Sequence, residues 1–175
     1  MVIREANYND AASIAKIHSS SWRDTYGNVL TKDYLESVAP QERESIWKGR
    51  LKHPKPNQYV IVAEIEDAII GFACAFYAEN SKWGSYLDSL HVIKERQSQG
   101  VGQLLLATVA RWCCQRDANL GLCLLVNQDN VHAQNFYKHL GARNTEESVW
   151  NAPDGSVVPT YWFVWSSVEP LASRG

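Results

Sequence analysis

The chain has 175 residues, 45% of them hydrophobic and 21% charged, which suits one ordinary globular domain. Its 17 basic and 19 acidic side chains leave a formal charge of -2, so no general attraction draws it to phosphate backbones or anionic membranes, and nonspecific nucleic-acid binding is disfavoured. The longest apolar runs, Leu122 to Val126 and Ala68 to Phe76, fall short of the roughly 20 residues a membrane span requires.

A short strand at Val2 to Arg4 is followed by a helix that Asn9 or Asp10 can cap, with Ile14 and Ile17 at helical spacing and an end near Trp22. Further helices are expected at Thr31 to Val38 and from Pro40 to about Lys52, before His53-Pro54-Lys55-Pro56 breaks the pattern. Valine, isoleucine and aromatic residues then predict strands at Tyr59 to Ile65 and Ala68 to Tyr77, joined by a tight turn at Glu66-Asp67. A strand at Tyr86 to Ile93, a helix carrying Val101, Leu105, Val109 and Trp112 on one stripe, and an apolar strand at Leu120 to Val126 read as a βαβ unit with parallel strands. A helix from Val131 to Leu140 ends at Gly141. Strands at Arg143 to Trp150 and Val157 to Trp165 close the chain as a second hairpin. No repeat or linker divides it, so residues 1-168 read as a single domain and 169-175 as a flexible tail.

The segment Met1 to Asn7 has neither the basic stretch nor the apolar run of a secretory signal, and a cytoplasmic protein is expected. Cys74, Cys113, Cys114 and Cys123 form no CxxC pair and lie in apolar segments, so they read as buried free thiols rather than metal ligands; no metal is expected.

The stretch Gln97-Ser98-Gln99-Gly100-Val101-Gly102 sits between a predicted strand and a helix amino terminus. Glycines there let backbone N-H groups turn toward an anion, and the helix adds about half a positive charge. A phosphate-bearing ligand is indicated. The dinucleotide fingerprint fails because Leu105 holds its third glycine position, and the P-loop fails because Gln103-Leu104 follows Gly102.

After the next strand come Asn130, Ala133, Phe136, Tyr137 and Gly141, as N-x-x-A-x-x-F-Y-x-x-x-G. With Gln97-x-x-Gly100-x-Gly102 this resembles the GCN5-related N-acetyltransferase superfamily, most strongly from Tyr86 to Gly141. The resemblance implies a mixed α/β fold: a twisted, mostly antiparallel sheet with one central parallel pair and helices on both faces. It also implies acetyl-CoA as cosubstrate. The pyrophosphate would lie on the amides of Gln97, Ser98, Gln99, Gly100, Val101, Gly102 and Gln103. Pantetheine would run along Leu90, His91 and Val92, in a slot opened by a bulge, with Asn130 reaching it by a polar contact and Phe136 nearby. Many members carry Arg or Lys where this chain has Gln99, which removes one charge contact.

The implied reaction is direct attack of an amine on the thioester, without a covalent enzyme intermediate; all four cysteines fall outside the matched motifs. An amine of pKa about 10.4 is protonated at pH 7 in all but roughly one molecule in two thousand. A base is therefore expected, and Asp88 is the carboxylate best placed; a structural strand aspartate is its plainer reading. Tyr137 matches the family tyrosine that hydrogen-bonds the departing thiolate, against the reading of a packed Phe136-Tyr137 pair. The region His18 to Tyr26, with Tyr34, resembles the acceptor border of the family. Trp22, Tyr26 and Tyr34 offer aromatic faces to a cation, and Asp24, Asp33 and Glu36 favour an amine-bearing acceptor. His53, His132 and His139 read as surface residues. A monomer or homodimer is expected. The alternative from another class is a catalytically silent CoA-binding or sensing module.

Overall fold

The structure is a computed structural model and describes residues 1-174. Seven strands form one sheet: β1 (Val2–Glu5), β2 (Gln58–Ile65), β3 (Ala68–Asn80), β4 (Gly84–Val92), β5 (Leu122–Asn127), β6 (Arg143–Asn151) and β7 (Val157–Trp165). Their order is β1-β2-β3-β4-β5-β7-β6, antiparallel throughout except between β4 and β5. This is the mixed α/β architecture expected from the sequence. The β2-β3 turn places Glu66 and Asp67 at φ 49° and 62°, the doubly left-handed geometry of a two-residue hairpin whose twist matches the strands.

Helices α1 (Ala11–Tyr26) and α2 (Ala39–Lys52) cover one face of the sheet. Ile14, Ala15, Ile17 and Trp47 pack there against Val60, Val62, Phe72 and Cys74. On the other face lie α3 (Val101–Cys114), α4 (Val131–His139) and α5 (Glu169–Ala172). Leu105, Leu106 and Val109 meet Ile61, Leu122 and Phe163 in that larger core. A fully buried side chain of this size contributes about 1.5 to 3 kcal/mol relative to exposure.

Several boundaries differ from the sequence reading, each for a local reason. Asp10 stands at the N-cap position of α1 as expected, but its carboxylate caps no α1 amide: it accepts from the Asn7 amide while the Asn7 side chain accepts from the Asn9 amide, closing a capping box over a 3-10 turn that precedes the helix. Helix α1 continues past Trp22 because Trp22 and Tyr26 both pack on Trp150, with ring centroids 5.4 Å away in each case. The expected helix at Thr31 to Val38 contains a π-helical turn, Tyr34–Val38, that runs directly into α2. Strand β5 begins at Leu122 rather than Leu120, since Gly121 is pressed between the Trp83 and Trp165 carbonyls and its own carbonyl accepts from the Ser85 amide of β4.

The tail expected to be flexible is mostly held. Val168 and Leu171 are fully buried in the α3 core, and Arg111 and Gln103 donate to the Ala172 and Arg174 carbonyls. Gly175 lies outside the described residues. Among the described residues no helix is long and apolar enough to cross a membrane, and no group of three or more His, Cys, Asp or Glu side chains is placed to hold a metal.

Candidate active site

The central feature of the sheet is an opening. Strands β4 and β5 pair only at Ser85 with Leu122 and Tyr86 with Cys123. Just beyond, the β3-β4 register shifts: Ala75 faces Leu87 and Cys74 faces Ser89, so Asp88 is the extra residue of a bulge. A bulge bends its strand and sharpens the local twist, which carries β4 away from β5. The bulge therefore falls on Asp88 itself. A groove of about 1480 Å³ occupies the gap. That exceeds the roughly 300 to 1,000 Å³ of an ordinary small-ligand pocket, so it can take a long ligand and a second substrate together.

At one end of the groove the β4-α3 loop presents bare backbone. From Ser98 to Gln103, six consecutive amides have no acceptor among the described residues; the first bond of the helix runs from the Leu104 amide to the Gly100 carbonyl. Ser98 and Gly100 adopt φ 58° and 83°, and residues alternating in this way turn successive N-H groups into a concave anion nest. The two glycines serve different ends. Gly100 needs the left-handed conformation, whereas a Cβ on Gly102 would meet the Phe136 ring at 3.4 Å. The Gln97 and Gln99 side chains brace the loop by donating to the Val92 and Glu95 carbonyls.

Gln97, Ser98, Gly100, Gly102 and Gln103 line the groove, together with Leu90, His91 and Val92 of β4. Gln99 is exposed outside it, and the Val101 side chain is buried in the α3 core. Asn130 lines the groove from the start of α4; its Oδ1 caps the Ala133 amide at 3.0 Å, and its Nδ2 has no hydrogen bond among the described residues. Phe136 and Tyr137 line it one turn further on.

Tyr137 is held by Phe136, Phe163 and Trp165, with centroids at 5.2, 6.3 and 6.0 Å. Its hydroxyl has no hydrogen bond among the described residues and is not sealed from the groove. Burial pushes its pKa up, so the hydroxyl keeps its proton. On the opposite side Asp88 accepts from Arg50 Nη1 at 2.6 Å and from the Ser89 hydroxyl at 2.9 Å.

Several contacts in the groove, and two arginines that line it, escaped the sequence reading. His18, expected at the acceptor border, is buried and accepts from Trp47 Nε1 at 3.0 Å on its Nδ1, which fixes the neutral ring with its proton on Nε2. Burial holds its pKa well below the ordinary value. It stands 4.7 Å from His91, whose Nδ1 lies 2.7 Å from the Ser21 hydroxyl and whose pKa burial lowers to about 4. Arg43 and Arg50 reach the groove from α2, flanking Trp47 at i and i+7, a stripe that helical periodicity could have picked out.

Of the aromatic residues expected at the acceptor, Trp22 and Tyr26 line the groove. Tyr34 does not: it is buried, and its hydroxyl donates to Glu42 at 2.8 Å. Asp24 lines the groove, while Asp33 and Glu36 are exposed away from it. His132 and His139, read as surface residues, border the groove at α4.

The thiols are all free. Cys74 and Cys123 are fully buried, and burial raises both pKa values. The Cys123 Sγ donates to the Ser85 carbonyl.

The acetyltransferase (GNAT) family model matches residues 14–142, and the chain belongs to that family. It is 37% identical over 119 residues to YuaI of Bacillus subtilis (strain 168), described as an uncharacterized N-acetyltransferase; the match covers 66% of this chain and 65% of that protein. Its fold is similar to that of PaiA N-acetyltransferase from Thermoplasma acidophilum in complex with coenzyme A, with 18% identity, a TM-score of 0.71 and coverage of 91% and 96%. It is also similar to yncA from Salmonella typhimurium with its cofactor acetyl-CoA, with 18% identity, a TM-score of 0.68 and coverage of 97% and 94%.

Proposed function

We propose that this chain moves an acetyl group from acetyl-CoA to a primary amine by direct attack within a ternary complex. The observation that carries the reading is the run of six unpartnered amides from Ser98 to Gln103, placed where a helix amino terminus faces the split between β4 and β5. Such a nest suits a pyrophosphate. The unpaired edges of Leu90, His91 and Val92 offer ladder positions to the pantetheine amides, Asn130 offers its Nδ2, and Phe136 walls the same stretch. Two relatives of the same fold are described with coenzyme A or acetyl-CoA.

In the reaction the amine nitrogen forms a bond to the thioester carbonyl carbon, the C-S bond breaks, and the sulfur leaves with the bonding pair. Starting from the ammonium form, two protons leave the nitrogen: the first frees the amine before attack, and the second goes to solvent as the amide forms. Freeing the amine at neutral pH costs roughly 4 to 5 kcal/mol, and Asp88, on the acceptor side of the bulge, collects that first proton directly or through water. Tyr137 donates a hydrogen bond to the departing sulfur. Its raised pKa makes complete transfer to a thiolate uphill, so donation without transfer is the role it takes. The sulfur then picks up a proton from solvent. The buried, protonated thiols of Cys74 and Cys123 favour direct attack over a thiol intermediate.

The test is release of free CoA thiol from acetyl-CoA in the presence of a panel of amines, with mass detection of the acetylated product. Acetyl-CoA binding without thiol release from any amine would point to a silent CoA-binding module instead.

A further inference from the structure

We infer that the acceptor carries an anionic group, a carboxylate above all, beside its amine, and that Arg43 recognises it. The inference rests on the acetyltransferase reading and narrows its substrate class.

The aromatic surface expected to meet a substrate cation already holds one from the protein. The Arg43 guanidinium lies 4.4 Å above the Trp22 ring, so that face is closed to a cationic substrate, and a second positive charge beside it is repelled. Arg43 is only 9% exposed, yet most of its donors are idle. Nη2 donates to Glu42 Oε1 at 2.8 Å, Nε is buried without a partner, and Nη1 has no hydrogen bond among the described residues. Glu42 is itself shared, because its other oxygen accepts from the Tyr34 hydroxyl at 2.8 Å. A guanidinium has five donors in a planar fork, and leaving them unpaired out of water is costly.

Its neighbours do not fill the gap. Arg50, two turns on along the same face of α2 and about 10 Å away along the axis, is engaged by Asp88. His18, between Trp22 and the strand, is neutral. Arg43 faces the groove with half of one carboxylate for a partner, and a ligand carboxylate supplies two oxygens in the geometry the fork prefers. Amine and carboxylate thereby sort to different ends: the nitrogen beside Asp88 and the thioester, the anion at Arg43. Amino acids, ω-amino acids and short peptides have that chemistry; polyamines do not.

The experiment pairs each carboxylated amine with its carboxamide at saturating acetyl-CoA, alongside a polyamine, and follows thiol release. The carboxylated member is expected to lead by tenfold or more in kcat/KM. Arg43→Gln should raise KM for it by at least tenfold, with the Kd for acetyl-CoA within twofold of the parent, and should abolish the preference. Arg43→Lys, which keeps the charge and loses the fork, should fall between, and it decides the matter if the glutamine variant does not fold. Equal or better use of carboxamides or polyamines overturns the inference and leaves acetyl transfer standing. An Arg43→Gln protein that keeps the preference overturns it too, and thiol release with no amine at all overturns both.

Discussion

Arg50 donates to both carboxylate oxygens of Asp88, at 2.6 and 3.4 Å, and its guanidinium stands 5.1 Å from the Trp47 ring. The pair ties α2 to the bulge that opens the sheet. It thus orients, from a helix, the carboxylate that the bulge sets at the break between β4 and β5. An ion pair this exposed, with 29% and 23% of the two side chains accessible, contributes no more than about 1 kcal/mol to stability. Its consequence is positional.

Asp88→Asn keeps the volume and removes the charge. With Asp88 as the proton acceptor, the variant should lose about 100-fold or more in kcat at neutral pH and recover part of it as rising pH supplies free amine. A pH-rate profile of the two proteins is the check. Parallel curves with a lowered melting temperature would mean that Asp88 only orders the bulge.

Tyr137→Phe preserves the packing on Phe136, Phe163 and Trp165 and deletes the hydroxyl. The maximal rate should fall by roughly tenfold or more, with little change in KM for acetyl-CoA. Steady-state kinetics of the folded variant decide, and turnover at the parent rate would return Tyr137 to a packing role.

Gly100 has φ 83° and nothing within 4 Å of the position a Cβ would take. The substitution Gly100→Ala therefore meets no clash, only the left-handed penalty of about 1 to 2 kcal/mol. Gly100→Val adds bulk in the open space before the amide nest and should weaken CoA binding beyond the alanine variant. Titration calorimetry on both, with melting temperatures, separates backbone strain from obstruction; equal CoA affinity in parent and valine protein would remove the pyrophosphate from this loop.

The two buried histidines give the fold an acid limb. His91 has its pKa lowered by burial to about 4 against an ordinary value near 6.5, and His18 is lowered too. The unfolded chain binds the extra proton first, so this stability is complete above about pH 6.5 and is lost as pH falls toward 4, by at most about 3 kcal/mol for His91. Asp10, which hydrogen bonds from Arg4 hold below its ordinary carboxylate value, acts only at lower pH still. Denaturant unfolding at pH 7.5 and 5 should show the loss, and His91→Asn should flatten that limb.

Much of this molecule is written locally. Amphipathic spacing marks α1, α3 and α4, the Glu66-Asp67 turn marks its hairpin, and the apolar run at Leu122 to Val126 marks a strand covered on both faces, because each depends on neighbours within a few residues. The same holds for the glycine turn at Gly100 and the capped helix at Asn130, whose backbone geometry is set where they stand. What the sequence could not decide is which side chains meet across distance. Arg43 over Trp22, Arg50 on Asp88 and His18 against His91 each join elements 21 to 73 residues apart. They depend on how α1 and α2 lie on the sheet and on a one-residue bulge in β4. Tyr34 follows the same rule: in sequence an aromatic residue near acidic ones reads as a cation site, whereas packing keeps it off the groove and turns its hydroxyl to Glu42. The tail shows the rule in its simplest form, since Leu171 has no local signal of order and is fixed only because α3 offers a core to bury it.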